Sequence, residues 1–438
     1  MKSPISKLFC IPLLPLFLFI CSPQFVVSQQ TTTPDEAAVL ERAQELRGTV
    51  QRNAAGRILG LDITSAELTL ADMQLIARLP DIETIRLVGP AVNDAYVETL
   101  RGLTTLHTVD IQNSSITDRS LVILAELPNI HTLRLRRNLN FTDRAITLFA
   151  EFPNLRELRI LYNAFTPMAL FDLGNLTTVR VLDLRALPIT DSTLMFIGDL
   201  ENLEELRVRS SSVTNNGVAH LKNCTNLRVL EFQDADVSTG LAEILKDFEN
   251  LRFLRIFRCA PFGPDAITEL GMLTQLDTLE LRGLACSPEA LRALKPLANL
   301  RSVEFSELGN VDSAVLLEVL QAFPDLHTIR LFGIPADDTI AAHIATRTGM
   351  RRVLLPATAI TDAGLEPLTT MEGLIALDIH ANRIHITPQG AMVLSKFRDL
   401  RQLTIPETID SPAFRAAMRE NSPRIVITIN SYAHVTGE

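Results

Sequence analysis

From Ala55 to the low 420s the sequence repeats itself every 24 residues, with occasional steps of 25 or 26. Units begin at Leu79, Leu103, Leu127, Phe152, Leu176, Leu200, Cys224, Phe248, Leu273, Leu297, Phe323, Arg347, Met371 and Phe397. With a degenerate start at Ala55 they make fifteen turns. A period of this length, sustained over this much chain, restricts the fold to stacked copies of one small unit.

Each unit has two halves. In the first, apolar residues alternate, as at Leu133 and Leu135, and the spacing predicts a short strand with one buried face. The second opens on wording such as "ITD" (Ile116, Ile189, Ile360), "FTD" (Phe141), "FTP" (Phe165) or "CSP" (Cys286). Thr or Ser is a good N-cap, Asp suits the positive end of a helix, and Pro suits its first position. Apolar residues then follow at a spacing of three to five, as at Ile360, Leu365 and Leu368. Every unit therefore reads as strand, turn and short helix. No unit can bury its own apolar face, so burial requires stacking, with a parallel sheet on one side and helices on the other. Helices are wider than strands, so the α/β stack should curve into a horseshoe-shaped solenoid, sheet on the concave face and helices on the convex one. At ~4.8 Å per strand the fifteen rungs span roughly 70 Å of arc.

Both ends need covering. Residues 29–54 are expected to form a linker and a capping helix: "TPDE" (Thr33–Glu36) is a capping box with Pro34 at the first helical position. Ala37, Leu40, Ala43 and Val50 could cover the first rung. The solenoid should fill 55–422, with Ser411-Pro412 opening its last helix, and 423–438 should hold a closing strand, "RIVITIN", and a tail.

This pattern resembles the leucine-rich repeat. The "ITDAGLEPL" wording (Ile360–Leu368) is similar to the helix-backed type found in the repeat arrays of F-box proteins and in bacterial secreted or surface proteins. The resemblance covers most of the chain and implies the solenoid fold; it says little about function, since such arrays carry many unrelated binding roles. The Asn or Cys that the resemblance leads one to expect after each strand stands only at Asn138, Asn163, Asn382 and Cys259, so an interior ladder should be patchy. No F-box precedes the array.

The N-terminus reads as an export signal over residues 1–28. Lys2 and Lys7 precede the apolar run Leu8–Cys21, and Val26 and Ser28 are small residues placed before a cut at Gln29. An uncleaved membrane anchor is the rival, but Pro12 and Pro15 interrupt a run already short for a span. The expected location is secreted, cell-surface or periplasmic, with membrane association only if this segment stays uncleaved. Of the five cysteines, Cys224, Cys259 and Cys286 remain in the mature chain, an odd number that offers no disulfide framework. Cys259 and Cys286 lie on adjacent rungs, where a bridge is open but unsupported. A net charge of -10 makes nucleic acid a poor partner.

The residues between the two strand leucines should face the concave side. Down the stack they read Asp62, Arg86, Asp110, Arg134, Arg159, Asp183, Arg207, Glu231, Arg255, Glu280, Glu304, Arg330, Leu354, Asp378 and Thr404. Their signs mostly alternate, so the column can pair with itself at ~0.2–1 kcal/mol per exposed pair. Arg134 is expected to be such a structural rung. The column two residues on holds no acid and contains Arg136, Leu161, Arg185, Arg209, Phe257, Arg282 and Phe332. Arg and exposed aromatics favour binding hot spots, so these seven are the candidate partner-binding residues. The competing reading is that these guanidiniums are solvated or reach Glu231 and Glu280.

Catalytic and nucleotide-binding motifs are missing, and His380 and His385 are poorly placed to share a metal. His107, His131 and His327 recur at one repeat position expected on the surface. No cofactor or metal is expected. The sequence points to a non-catalytic, monomeric binding protein that takes a protein or an acidic glycan on its concave face. The alternative is a structural or adhesive protein of the cell surface or envelope.

Overall fold

The structure, a computed structural model, describes residues 33–382 and 386–430. The expected export signal at 1–28, His385 and the tail from 431 lie outside the described residues.

Among the described residues, seventeen strands form one sheet. The first, β1 (Thr49–Arg52), runs antiparallel to β2 (Ile58–Thr64), an addition that the repeat does not encode. From β2 onward each strand pairs in parallel with its successor, ending at Val426–Ile429. The register sets equivalent repeat positions side by side: Leu133 between Val109 and Leu158, Arg134 between Asp110 and Arg159. Leucines of the alternating pattern point inward and are fully buried, as at Leu133, Leu135, Leu158, Leu182 and Leu184. They join one core running from Val39 to Ile425. The result is an open leucine-rich-repeat solenoid with the sheet on its inner, concave face.

Thr33 caps the first helix, Pro34–Glu45, through a capping box with Glu36. That helix buries Val39, Ala43 and Leu46 against the first rung. Of the residues expected to cover that rung, Ala43 does so; Ala37 is exposed, and Leu40 and Val50 are only half-buried. The helix turns a slightly different stripe inward, with Glu36, Val39 and Ala43 buried.

The convex helices are short, capped by Thr or Ser at Thr117, Thr190, Thr214, Ser287, Thr361 and Thr387. The rung after Phe165 carries a 3-10 helix, Ala169–Asn175, instead of an α-helix. It is the narrower winding, and Gly174 there packs against the backbone of Phe196, with no room for a Cβ. The Asp of each "TD" does more than favour a helix end. Asp191 accepts the Thr214 amide at 2.7 Å and its hydroxyl at 2.6 Å, one rung on. Asp118–Thr142, Asp143–Thr166 and Asp362–Thr387 repeat this staple, and so do Asp94–Thr117 and Asp338–Thr361, where the Asp follows Asn93 and Asp337. Inside, Asn138 donates to the Ile111 carbonyl at 2.9 Å and Asn163 to Leu135 at 3.1 Å, so the interior ladder is local, as its sparse residues implied. A second, longer Asn series ties rungs together at the opposite corner: Asn129, Asn154, Asn202, Asn226, Asn250 and Asn299 each donate to a carbonyl of the preceding rung.

Just past the strands the backbone turns through left-handed conformations, with φ of 51° at Asn113, 54° at Arg137, 58° at Tyr162, 63° at Ala186, 50° at Asp234, 51° at Arg258, 52° at Glu307 and 53° at Ala357. Such a conformation costs an L-residue ~1–2 kcal/mol. Relieving it offsets the ~0.4–1 kcal/mol of unfolded-state entropy that glycine adds. Ala357→Gly should therefore leave the melting temperature unchanged or raise it, whereas the same exchange inside a helix costs ~1 kcal/mol. Thermal melts of the two variants check this.

Candidate binding face on the sheet

Three columns of side chains cover the concave face. The first is the charged one between the strand leucines, and it pairs largely with itself. Arg86 lies 2.8 Å from Asp62 and 3.4 Å from Asp110. Glu231, only 1% exposed, is flanked by Arg255 at 3.4 Å and Arg207 at 3.7 Å. Arg255 also bonds Glu280, and Arg330 lies 3.6 Å from Glu304. Arg134 is paired as expected, but by Glu157, two residues before Arg159 on the next strand, at 2.8 Å; Glu157 also takes Arg159 at 2.6 Å. The reason is that Arg134 and Arg159 stand side by side in the register, and Glu157 between them relieves the repulsion. Burial works to raise the pKa of Glu157, but these two arginines outweigh it and hold the carboxyl below its usual range. Glu280 goes the other way: burial, helped by neighbouring Glu304, pushes it up against the pull of Arg255.

The second column holds the seven residues singled out from the sequence. Arg136 faces half-exposed Leu161 across the register. Arg185 hydrogen-bonds Asp183 at 2.8 Å and Glu231 at 3.3 Å, with both acids buried beneath it. Arg209 bonds Asp234 at 2.6 Å and donates to the Tyr162 hydroxyl at 3.3 Å. Phe257 lies under two guanidiniums, Arg258 at 4.5 Å and Arg282 at 4.9 Å. Arg282 reaches on to the Phe332 ring at 5.3 Å and bonds Glu307 at 2.9 Å. Arg185 reaches Glu231, as the competing reading had it, and buried Asp183 as well, while Arg209 and Arg282 are served by the third-column residues Asp234 and Glu307. One premise is corrected. Phe332 is not exposed: it keeps 4% of its surface, because buried Ser306 between it and Arg282 is small enough to let the guanidinium lie across the ring.

The third column sits on the left-handed corners and was not singled out from the sequence. It presents Arg137, Tyr162, Asp234, Arg258 and Glu307 along the rim of the face. The seven candidates thus fall into two groups. Arg136, Leu161, Arg185 and Arg209 gather around Tyr162, and Phe257, Arg282 and Phe332 form a cation–aromatic stack beside a hollow of about 170 Å³ lined by Arg255, Phe257, Glu280, Arg282, Glu304 and Arg330.

Elsewhere, His107 and His131 are half-buried and stacked at 4.6 Å, so they are not simply surface residues; burial and the His107 charge lower the pKa of His131. Among the described residues no cluster of His, Cys, Asp or Glu could hold a metal, and no helix is long and apolar enough to cross a membrane. Cys224, Cys259 and Cys286 are buried and free, so Cys259 and Cys286 are not bridged. Burial pushes their thiols up to about 12, 11 and 11. A chain beginning at Gln29 should show almost no reaction with Ellman's reagent at pH 8 while folded and full reaction in denaturant, because the thiolate is the nucleophile. Rapid reaction of the native protein would contradict this burial.

Neither a protein-family profile nor a curated protein matches the sequence. Solved structures do. Yeast Rad7, solved as a complex with Elc1, aligns at 15% identity over 90% of this chain and 92% of its own, with a TM-score of 0.52. A leucine-rich-repeat protein of Leptospira interrogans aligns at 17% identity, covering 82% of this chain and 98% of that one, with a TM-score of 0.44. A plant peptide hormone receptor, solved with its peptide, aligns at 18% identity over 87% of this chain, with a TM-score of 0.39; this chain spans only 56% of that receptor. At such identities the likeness concerns the fold.

Proposed function

We propose that this leucine-rich-repeat solenoid is an exported, non-catalytic binding protein that takes a polypeptide partner along the concave face of its sheet. The observation that carries the reading is the arrangement of half-exposed Arg, Tyr and Phe side chains in two groups on one continuous surface, the residue types that dominate binding hot spots. The hollow on this face, about 170 Å³, is smaller than the ~300–1,000 Å³ of a pocket for a drug-sized molecule, which favours a partner lying along the sheet. Leu161 and Phe257 favour a polypeptide over a glycan, because a polypeptide brings apolar side chains as well as acids. That Rad7, of similar fold, is found in complex with another protein also supports the reading. The chain acts as a monomer outside the cell or in the envelope, directed there by residues 1–28.

Capture tests it. The chain beginning at Gln29, immobilised and exposed to extracellular material of the source organism, should retain a polypeptide. The triple variant Arg185→Ala, Arg209→Ala, Phe257→Ala should lose it. Equal retention by both would move the binding site off the concave face.

A further inference from the structure

The arginines of the concave face are not equivalent. On the strands from Ile58 to Phe332, and at their ends, Arg86, Arg134, Arg159, Arg185, Arg207, Arg209, Arg255, Arg258, Arg282 and Arg330 each have a carboxylate within 4 Å. Among the described residues, exposed Arg352 on a later strand has none, and neither do Arg136 and Arg137. Both instead stack on one ring, their Cζ atoms 5.4 and 5.2 Å from the centroid of Tyr162.

This arrangement is held in place from several sides. Arg137 and Tyr162 both occupy left-handed corners, so their side chains leave the backbone at the rim of the face. Arg209 fixes the far end of the ring by donating to the Tyr162 hydroxyl at 3.3 Å while bound to Asp234. Among the described residues neither guanidinium donates a side-chain hydrogen bond, which leaves their N–H groups to an incoming acceptor. Two like charges held against one ring repel each other, and among the described residues no carboxylate neutralises them, although each of the other arginines paired above has one. An anion carrying about two charges would remove that repulsion and gain several charge-assisted hydrogen bonds.

We infer that Arg136, Arg137 and Tyr162 form the seat for a pair of neighbouring carboxylates on an acidic polypeptide segment. The inference rests on the concave-face reading and fixes both where the acidic part of the partner docks and its chemistry. Half-exposed Leu161, opposite Arg136 in the register, gives the segment an apolar contact beside its acids. An acidic glycan would use the same cations but would leave that contact idle.

The test uses the chain beginning at Gln29 and fluorescein-labelled hexaglutamate, with binding followed by anisotropy at low salt. A size-matched heparin hexasaccharide serves as the second probe. Wild type should bind hexaglutamate, and the affinity should fall as salt screens the charges. Arg136→Gln with Arg137→Gln should weaken binding at least about tenfold, Tyr162→Ala should weaken it, Tyr162→Phe should largely keep it, and Lys222→Gln on the convex side should change nothing. Circular dichroism and melting of each variant show that the array is intact. Hexaglutamate binding left unchanged by the double substitution overturns the seat. Heparin binding in place of hexaglutamate overturns the polypeptide, and no binding of either probe overturns the anion site. The capture experiment is read separately with Arg185→Ala and Phe257→Ala alone, which leave Arg209 on Tyr162: loss of the natural partner there would uphold the concave face even where the seat fails.

Discussion

Leu182→Ala should destabilise the protein by about 2–5 kcal/mol in urea unfolding. Leu182 has no accessible surface and lies between Leu158 and Leu206 in the register. The substitution removes buried methyl groups from the middle of the stack and leaves a cavity that two neighbouring rungs cannot close without giving up their own strand pairing. Stability in such an array is a sum of nearest-neighbour terms. A weak central rung should therefore lower the midpoint and also broaden or split the transition, as the two flanking blocks begin to unfold separately. A loss below roughly 0.5 kcal/mol, the level of a neutral surface change, would mean that the register is wrong.

The second large effect comes from a charge. Glu231 is 1% exposed and serves Arg185 at 3.3 Å, Arg255 at 3.4 Å and Arg207 at 3.7 Å. Glu231→Ala would leave three guanidiniums facing one another over a cavity. Removing one partner of a wholly buried pair costs ~3–5 kcal/mol. Here the arginines keep 19–32% of their surface and can turn toward water, so the expected loss is smaller, roughly 2–4 kcal/mol. Chemical unfolding at pH 7 measures it. Glu289→Ala, with its carboxylate 80% exposed on a convex helix, should cost less than about 0.5 kcal/mol under the same conditions. Equal losses in the two variants would show that the concave ion pairs do not form a connected network.

The sequence made the solenoid legible because burial sets the period. Leu133 and Leu135 recur at matching positions in rung after rung, since a parallel stack aligns equivalent residues, and a wrong register would turn charges inward. The same logic aligned the first concave column, and its alternating signs did become ion pairs. The second column was read too simply. Its lack of acids suggested free cations, but Asp234 and Glu307 come from the next column and Asp183 lies two residues back on the same strand, so pairing crosses columns. The third column escaped because a left-handed corner filled by Arg137, Tyr162 or Glu307 has no residue-type signature. Its signal lay in Gly283 and Gly333, which occupy the same corner two rungs apart. The burial of Phe332 could not be read either, since it depends on the small size of Ser306 in the adjoining rung.

The most direct measurement is the dissociation constant of the captured partner for Arg185→Ala, Arg209→Ala and Phe257→Ala, set beside the helix-side controls Glu126→Ala and Lys222→Ala. If the concave face holds the partner, at least one of the first three should lose about 2 kcal/mol or more of binding, the size expected of a hot spot, and the controls should stay within about 0.5 kcal/mol of wild type. Unchanged affinity in all three concave variants, with loss in either control, would place the partner on the helices and leave the stripe of arginines and aromatics as solvated surface.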